Sequence, residues 1–337
     1  MHLAVYLPLA IPVLAALAAR SLADRLPPAA ATWLLAASSV ALAVASSVVL
    51  GLLALTALLR VPFVAALAKV SVNMVSYLDP ASLPVAIIAG ALLAAAAAAA
   101  CRALWRRGGA IVAAGRHARR LPGSGQVVVT DESAADAYTL PGWPCRIVIT
   151  TGMLRALTDS ERQVLLAHER AHAGGSHYLF TSAARLAAAA NPLLRPVAAQ
   201  VGYTVERWAD ERAAAATGDR PLTARAIARA AMAATAAPPD RGGLATALGL
   251  VPADSDGDHS QDGGTPDRDG RRRSRRSSLR RAGPVPRRVA ALLSPPPELS
   301  LLLLGAAMLL VAISGLSALE AARNLHQLIE LAQGARG

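Results

Sequence analysis

Four long stretches without a charged residue constrain the fold of this chain more than any other feature. They cover residues 3–19, 26–59, 80–101 and 299–319. A helix needs about 20 mainly apolar residues to cross the roughly 30 Å hydrocarbon core of a bilayer. A helix at the surface of a soluble core keeps a polar face, whereas these stretches are apolar on all sides. We therefore expect a mainly α membrane protein with about four transmembrane helices. The expected spans are about 3–19, 33–58, 82–101 and 299–319.

The first stretch is open to a second interpretation, as a cleaved signal peptide with Ala-Leu-Ala at 16–18 as the cleavage site. Signal peptides carry positive charge ahead of the apolar stretch. Here only His2 precedes the stretch, and the first arginine, Arg20, follows it. The retained helix is therefore the preferred interpretation.

The charge distribution predicts the orientation of the chain. The net charge is +12, from 34 Lys and Arg against 22 Asp and Glu, yet 54% of the residues are hydrophobic, which excludes disorder throughout. Residues 102–120 hold six arginines and residues 271–288 hold nine, with no acid in either stretch. Arginine-rich flanks stay on the cytoplasmic side. We therefore expect external N- and C-termini, two anchors near anionic lipid, and no direct nucleic-acid partner.

The composition divides the chain into five parts. The expected parts are a membrane domain at 1–104, a cytoplasmic domain at 105–250, a disordered Asp/Gly-rich and then Arg-rich linker at 251–298, a fourth span at 299–319 and a short external tail at 320–337.

Local patterns predict an α+β fold with a small sheet for the cytoplasmic domain. Two β-type runs, 126–130 and 146–150, flank a connection rich in turn formers. Thr158 and Glu161 form a capping-box pattern that begins a helix, and Gly174-Gly175 ends it. Further helices are expected at 198–217 and 221–237. The second run is interpreted either as a core strand or as an edge strand that binds extended substrate through Ile147, Val148 and Ile149.

The capped helix contains the chemically most informative motif, His-Glu-Arg-Ala-His at 168–172. His168 and His172 are four residues apart, so both imidazoles lie on one helix face and can bind one metal ion. Glu169 lies near the same face and can hold a water bound to that ion. This is the HExxH arrangement of zinc hydrolases.

A catalytic zinc ion needs a third protein ligand, for which the sequence offers three candidates. His177 is close in sequence, but the third histidine of the HExxHxxGxxH pattern would fall at Tyr178. Glu206 and Asp210 lie one helical turn apart farther along the chain. Glu206 is the preferred ligand, with Asp210 orienting a ligand histidine through its second ring nitrogen.

These motifs together resemble those of the membrane gluzincin peptidases. The segments that carry the resemblance are Leu-Leu-Ala-His-Glu-Arg-Ala-His at 165–172, Ala-Asn-Pro-Leu-Leu at 190–194 and Val-Glu-Arg-Trp-Ala-Asp-Glu at 205–211. That group includes the CAAX prenyl proteases, the HtpX-type proteases and, most similar, the antirepressor-type peptidases related to β-lactam-sensing signal transducers.

For residues 120–240, the resemblance implies a zincin-type metallopeptidase domain with one Zn²⁺ per chain. His168, His172 and Glu206 would be its ligands, and Glu169 would be the general base. Asp210 would be the carboxylate that orients a ligand histidine. The β-lactam sensors end in an external penicillin-binding domain. Fewer than 20 residues follow the last predicted span here, so β-lactam sensing by this chain alone is not expected.

The function predicted from the sequence is that of a zinc-dependent membrane metalloendopeptidase, which hydrolyses peptide bonds of protein substrates at the cytoplasmic membrane face. One alternative is a signal-transducing membrane protein whose peptidase cleaves a cytoplasmic transcriptional repressor or itself. Others are an inactive membrane scaffold and a nucleic-acid binder. The oxyanion-stabilising group stays open between Tyr178, Tyr203, Arg207 and Arg212.

Overall fold

The computed structural model describes residues 6–67, 83–142, 145–236 and 283–334. Within them the chain is mainly helical and carries one small sheet, so the predicted fold class is confirmed. The helices are α1 Leu7–Arg25, α2 Pro28–Leu58, α3 Pro62–Leu67, α4 Leu83–Arg120, α5 Thr151–Ala156, α6 Asp159–Gly175, α7 His177–Ala190, α8 Arg195–Thr217, α9 Arg220–Thr235, α10 Pro284–Leu292 and α11 Leu301–Gly334. The strands are β1 Val127–Thr130, β2 Ala137–Leu140 and β3 Arg146–Thr150.

Four of these helices are long and apolar enough to cross a membrane. The candidate spans are Leu7–Arg25, Pro28–Thr56, Leu83–Arg120 and Leu301–Leu331. The two largest extensions beyond the predicted bounds are those of α4, which continues through the arginine-rich stretch 102–120, and of α11, which continues through most of the predicted tail. Neither extension contains a proline that would end the helix.

The chain divides into two compact units, and the first comprises residues 1–106, 180–201 and 298–337. This unit also contains residues 180–201, which the sequence prediction had grouped with residues 105–250. Inside this unit, small and aliphatic side chains of α1, α2 and α11 pack together, with Leu26 and Leu34 against Leu303 and Leu304. Outward-facing side chains of α11 such as Leu302, 87% exposed, present the apolar surface that lipid tails would cover.

A proline in α1 is accommodated by a serine of α2. Pro12 lies inside α1 and has no N–H, so the carbonyl of Pro8 loses its usual helical donor. The Ser46 hydroxyl donates to that carbonyl at 2.7 Å, sharing its hydrogen with the Leu42 carbonyl at 2.8 Å, and the Asn191 amide donates to the Ser46 oxygen at 3.1 Å. The backbone group freed by the proline is thereby satisfied within the unit, as an apolar environment requires.

The second unit comprises residues 107–179 and 202–297 and contains the sheet, whose strand order is β1-β3-β2. Strand β3 pairs parallel with β1 and antiparallel with β2. The interpretation of β3 as an edge strand is therefore wrong, because both of its edges are paired. Ile147, Val148 and Ile149 are buried, which excludes direct contact with a substrate. Strand β2 was not predicted, since turn formers surround its four residues.

Three helices form the core of the second unit, close to their predicted bounds. Helix α6 begins after Thr158 and ends at Ser176, whose φ of 47° is left-handed. Gly218, with φ of 70°, separates α8 from α9. Val164, Ala213 and Ala226 form a buried cluster that packs these three helices together.

Helix α10 corrects the predicted extent of the linker. Of the predicted linker 251–298, residues up to 282 lie outside the described part, but Pro284–Leu292 form a helix that packs on α9. Leu292 is buried against Ala224 and Ile227. The Arg220 guanidinium donates to the carbonyls of Leu292 and Ser294 at 2.9 and 3.1 Å, which satisfies the end of the helix.

The Glu161 carboxylate links the start of α6 to α9, and its loss should destabilise this unit. It accepts from the Thr158 N–H at 2.9 Å and from the Arg229 guanidinium at 2.6 Å. Burial raises its pKa, but these bonds outweigh burial, so the net pKa lies below the ordinary 4.5. We expect Glu161→Gln to lower the free energy of unfolding by about 2 kcal/mol at pH 7. Denaturant unfolding of the purified full chain measures this.

The control is Asp159→Asn, in the same helical turn. The Asp159 side chain is 91% exposed, so this substitution should change the free energy of unfolding by less than about 1 kcal/mol. A depressed carboxyl pKa stabilises the fold above the unfolded value and loses this effect as pH falls through the folded value. The difference between wild type and Glu161→Gln should therefore shrink below pH 4.5. Equal losses for the two variants at pH 7 would contradict the assignment.

Candidate active site

Helix α6 places three of the predicted site residues together. The capping box fixes where the helix begins, and the four-residue spacing then brings His168 and His172 to one face. Their ring centroids are 4.7 Å apart. His168 and Glu169 are only 8% and 7% exposed, although both are polar. Buried polar side chains of this kind need partners, and the partners come from other elements.

Helix α8 supplies the two acidic partners, Glu206 and Asp210, one helical turn apart. Ala213, one turn farther on, packs against Val164 of α6 and so fixes the distance between the two helices. Asp210 is 1% exposed. Both carboxylates face the histidines of α6.

Three side chains converge in the geometry of a metal site. Single ligand atoms of His168, His172 and Glu206 lie within 4.8 Å of one another. The two Nε2 atoms are 3.1 Å apart, and each lies 3.6 Å from an oxygen of Glu206. Tetrahedral zinc with bonds of about 2.0–2.1 Å requires donor separations of about 3.3–3.5 Å. Two nitrogen donors and one oxygen donor also match the His₂Glu set of catalytic zinc, so the residues present fit the ion.

The second ring nitrogen of His168, Nδ1, lies next to a buried carboxylate. Its Nδ1 lies 3.0 Å from Oδ1 of the buried Asp210. A carboxylate at this position fixes the tautomer and the orientation of a ligand imidazole. The sequence predicted that Asp210 orients a ligand histidine. In the structure, the Asp210 carboxylate lies within hydrogen-bond distance of the His168 ring.

Glu169 is positioned by strand β2. Its Oε2 accepts a hydrogen bond from the Thr139 hydroxyl at 2.8 Å. Burial is the main cause that raises the pKa of Glu169, while the charge of His168 and the Thr139 bond partly offset it. A carboxylate with a raised pKa is a better proton acceptor near neutral pH. Thr139 was missed in the sequence, because its strand lies among turn formers.

Arg288 of α10 enters the site from a part of the chain where no site residue was predicted. Its guanidinium donates to both oxygens of Asp210 at 2.7 Å and lies 2.9 Å from Oε2 of Glu206. Its side chain is only 12% exposed. The predicted role of the 271–288 arginines as lipid anchors is therefore wrong for Arg288, whose charge is neutralised inside the second unit.

Buried positive groups keep the two carboxylates of α8 in the ionised form. Burial raises the pKa values of Glu206 and Asp210, but Arg288 and the histidines outweigh it, so both lie below the ordinary range. Burial lowers the pKa of His168, but the adjacent carboxylates of Asp210 and Glu206 outweigh burial and raise it to about 10. Both carboxylates therefore stay ionised at neutral pH.

The structure brings together all five predicted polar residues, His168, Glu169, His172, Glu206 and Asp210. Ile147, Val148 and Ile149 lie in the central strand, away from any free edge. Among the oxyanion candidates, Tyr203 is 7% exposed, and its ring lies 3.9 Å under the Arg287 guanidinium. A signal for α10 was available in the apolar spacing of Val289 and Leu292 after Pro284, but the surrounding arginines concealed it.

Comparison with known proteins supports the same chemistry. Residues 109–236 match the family model described as Peptidase family M48. The match supports a zinc metallopeptidase of the M48 type for this part of the chain, since peptidases of that family are metallopeptidases and typically use zinc. It includes all five predicted polar site residues but not Arg288. Neither the curated proteins nor the solved structures gave a match.

Proposed function

We propose that this protein is a zinc-dependent membrane metalloendopeptidase that hydrolyses peptide bonds of protein substrates at the cytoplasmic membrane face. The observation that carries the proposal is the convergence of His168, His172 and Glu206 beside the buried carboxylate of Glu169. Bound zinc would supply a Lewis acid for the scissile carbonyl and a water whose pKa falls to about 7.

The chain's own residues supply the proton transfers. Glu169 takes the proton from the attacking water and later delivers it to the leaving amine. The Thr139 hydroxyl donates to Glu169 Oε2 at 2.8 Å and so limits the rotation of the carboxylate. Asp210 and Arg288 keep His168 and Glu206 in place, which orients the reacting groups before the substrate arrives.

Strand β2 is the proposed binding edge for an extended substrate. The Thr150 N–H donates to the Asp136 carbonyl at 3.0 Å, so these two residues form a hydrogen-bonded pair of the antiparallel ladder. Such pairs alternate with pairs whose backbone groups point outward, and Thr139 belongs to an outward-pointing pair. The N–H and C=O of Thr139 are therefore directed away from β3. No described strand pairs with that side of β2. A peptide added there by main-chain hydrogen bonds would pass beside Glu169, because the Thr139 side chain on the same strand contacts the Glu169 carboxylate.

Charge supports the cytoplasmic placement of the peptidase unit. The stretch 102–120 of α4 holds six arginines, four of them within this unit, and His117, Arg119 and Arg120 occupy the last turn of the helix. Positive flanks of this kind remain on the cytoplasmic side of a span. The loss of Arg288 from the second cluster leaves this argument intact, because eight other arginines remain in 271–288.

Removal of the metal tests the proposal directly. We expect one zinc ion per chain in the purified full-length protein, and loss of casein cleavage after treatment with a chelator. Near-stoichiometric Zn²⁺ should restore cleavage, while Mg²⁺ should not, because Mg²⁺ prefers oxygen donors to imidazole. Undiminished cleavage by the metal-free protein would rule out the zinc mechanism.

A further inference from the structure

We propose that His177 is a positioning residue that fixes the metal ligand His172 through its second ring nitrogen, in the way that Asp210 fixes His168. This inference rests on the proposed zinc site. His177 is the first residue of α7, and it is 2% exposed. The sequence made His177 a weak candidate for the third zinc ligand, but in the structure it lies next to His172 and outside the group of ligand atoms.

The two nitrogens of His172 face different partners. Its Nε2 lies 3.1 Å from His168 Nε2 and 3.6 Å from Glu206 Oε1, on the side where the metal donors converge. Its Nδ1 lies 3.1 Å from Nδ1 of His177, on the opposite side of the ring. His177 therefore lies behind the ligand and contributes no atom to the donor cluster.

Metal binding determines which of the two histidines donates. When Nε2 of a neutral imidazole binds a metal, Nδ1 carries the hydrogen and needs an acceptor. Nδ1 of His177 accepts it if the His177 proton is on Nε2. The acceptor is thus neutral, and the site, which already contains the carboxylates of Glu169, Glu206 and Asp210, gains no fourth negative charge.

The local backbone holds the His177 ring at this position. Helix α6 ends at Ser176 in the left-handed conformation, and the chain turns back immediately before His177. A Cβ on Gly175 would lie 2.4 Å from His177 Nε2 and 2.5 Å from its Cδ2, so this ring position requires glycine at 175. On α8, Trp208 contacts the same ring, with centroids 4.6 Å apart.

Gly174 offers a matched control for this arrangement. It lies in the same last turn of α6, but a Cβ added there would meet nothing within 4 Å. Gly175→Ala and Gly174→Ala are thus the same chemical change at adjacent positions, of which only one displaces His177. His177→Phe keeps a ring against Trp208 and removes the acceptor. His177→Asn restores an acceptor oxygen near the former Nδ1.

The experiment measures zinc affinity in the full-length protein by competition with a chromogenic chelator. We expect His177→Phe and Gly175→Ala to bind zinc about 10- to 100-fold more weakly than wild type. Gly174→Ala should match wild type, and His177→Asn should recover most of the affinity. The thermal unfolding midpoint of each metal-free variant shows whether a loss of folding, rather than a displaced ligand, explains a change.

The outcomes separate the role of His177 from the existence of the zinc site. Wild-type affinity in His177→Phe would overturn the positioning role while leaving the zinc site in place. Equal affinities in Gly174→Ala and Gly175→Ala would do the same. A wild-type protein that binds no zinc would overturn the proposed function, and the role of His177 with it. Visible absorption of bound Co²⁺ provides a second readout, because a reoriented His172 changes the ligand field.

Discussion

Replacing Glu169 with glutamine should reduce kcat/KM for a cleavable peptide by about 10²- to 10⁴-fold, the usual contribution of a general base. Glutamine has nearly the same shape and can keep the hydrogen bond with the Thr139 hydroxyl, which measures 2.8 Å in the native protein. It cannot accept a proton from water at neutral pH. The expected loss is therefore confined to the proton transfers, and zinc binding by His168, His172 and Glu206 should continue.

The matched control is Glu132→Gln, because Glu132 belongs to the same unit, and its side chain is exposed. That variant should cleave at the wild-type rate. Zinc content is measured for both variants beside the kinetics. Full activity in Glu169→Gln would leave the protein without its proposed base. Loss of zinc from that variant would instead assign Glu169 a role in metal binding.

Much of the site could be predicted because its signals are local in sequence. The capping box at Thr158 and Glu161 and the four-residue spacing of His168 and His172 depend only on helix geometry. Glu206 and Asp210 follow the same rule, one turn apart on α8. Only their pairing with the histidines is long-range; it followed from the third protein ligand that a catalytic zinc ion needs, and the resemblance to known peptidases implied the same residues.

The errors concern contacts between distant segments. The run 146–150 is strongly β-forming, but its place between β1 and β2 depends on pairings that periodicity does not encode. Strand β2 has only four residues and lies among turn formers, so its contact with Glu169 had no local signal. Both failures reflect sheet order, which is determined by tertiary packing.

The buried ion pair of Arg288 could not be predicted from the sequence for the same reason, because its partners are distant in the chain. An arginine in an arginine-rich stretch without acids is normally solvated, and nothing adjacent in sequence indicates a buried partner. Its partner Asp210 lies 78 positions earlier in the chain. Only the fold shows that α10 carries one arginine of the stretch into a site where two carboxylates need a counter-charge.

Replacing Arg288 with methionine should therefore destabilise the peptidase unit by about 3–5 kcal/mol at neutral pH, because one partner of a buried ionic network is removed. Methionine keeps much of the side-chain length but leaves Asp210 and Glu206 without the guanidinium that now lies 2.7–2.9 Å from them. Hydrogen exchange of α8 and α10 in the metal-free full-length protein measures the free energy of opening.

Arg287→Met is the matched control, since it makes the same change one residue earlier. The Arg287 guanidinium lies 3.9 Å over the Tyr203 ring, and such a contact contributes about 0.5–2 kcal/mol. Arg288→Lys should fall between wild type and methionine, because one ammonium cannot replace the two-pronged contact with Asp210. If hydrogen exchange is equally fast in the two methionine variants, the charge of Arg288 is not what stabilises the buried carboxylates. If only Arg288→Met loses stability, the docking of α10 is a condition for an ordered metal site. A segment outside the matched peptidase region is then needed for the site to form.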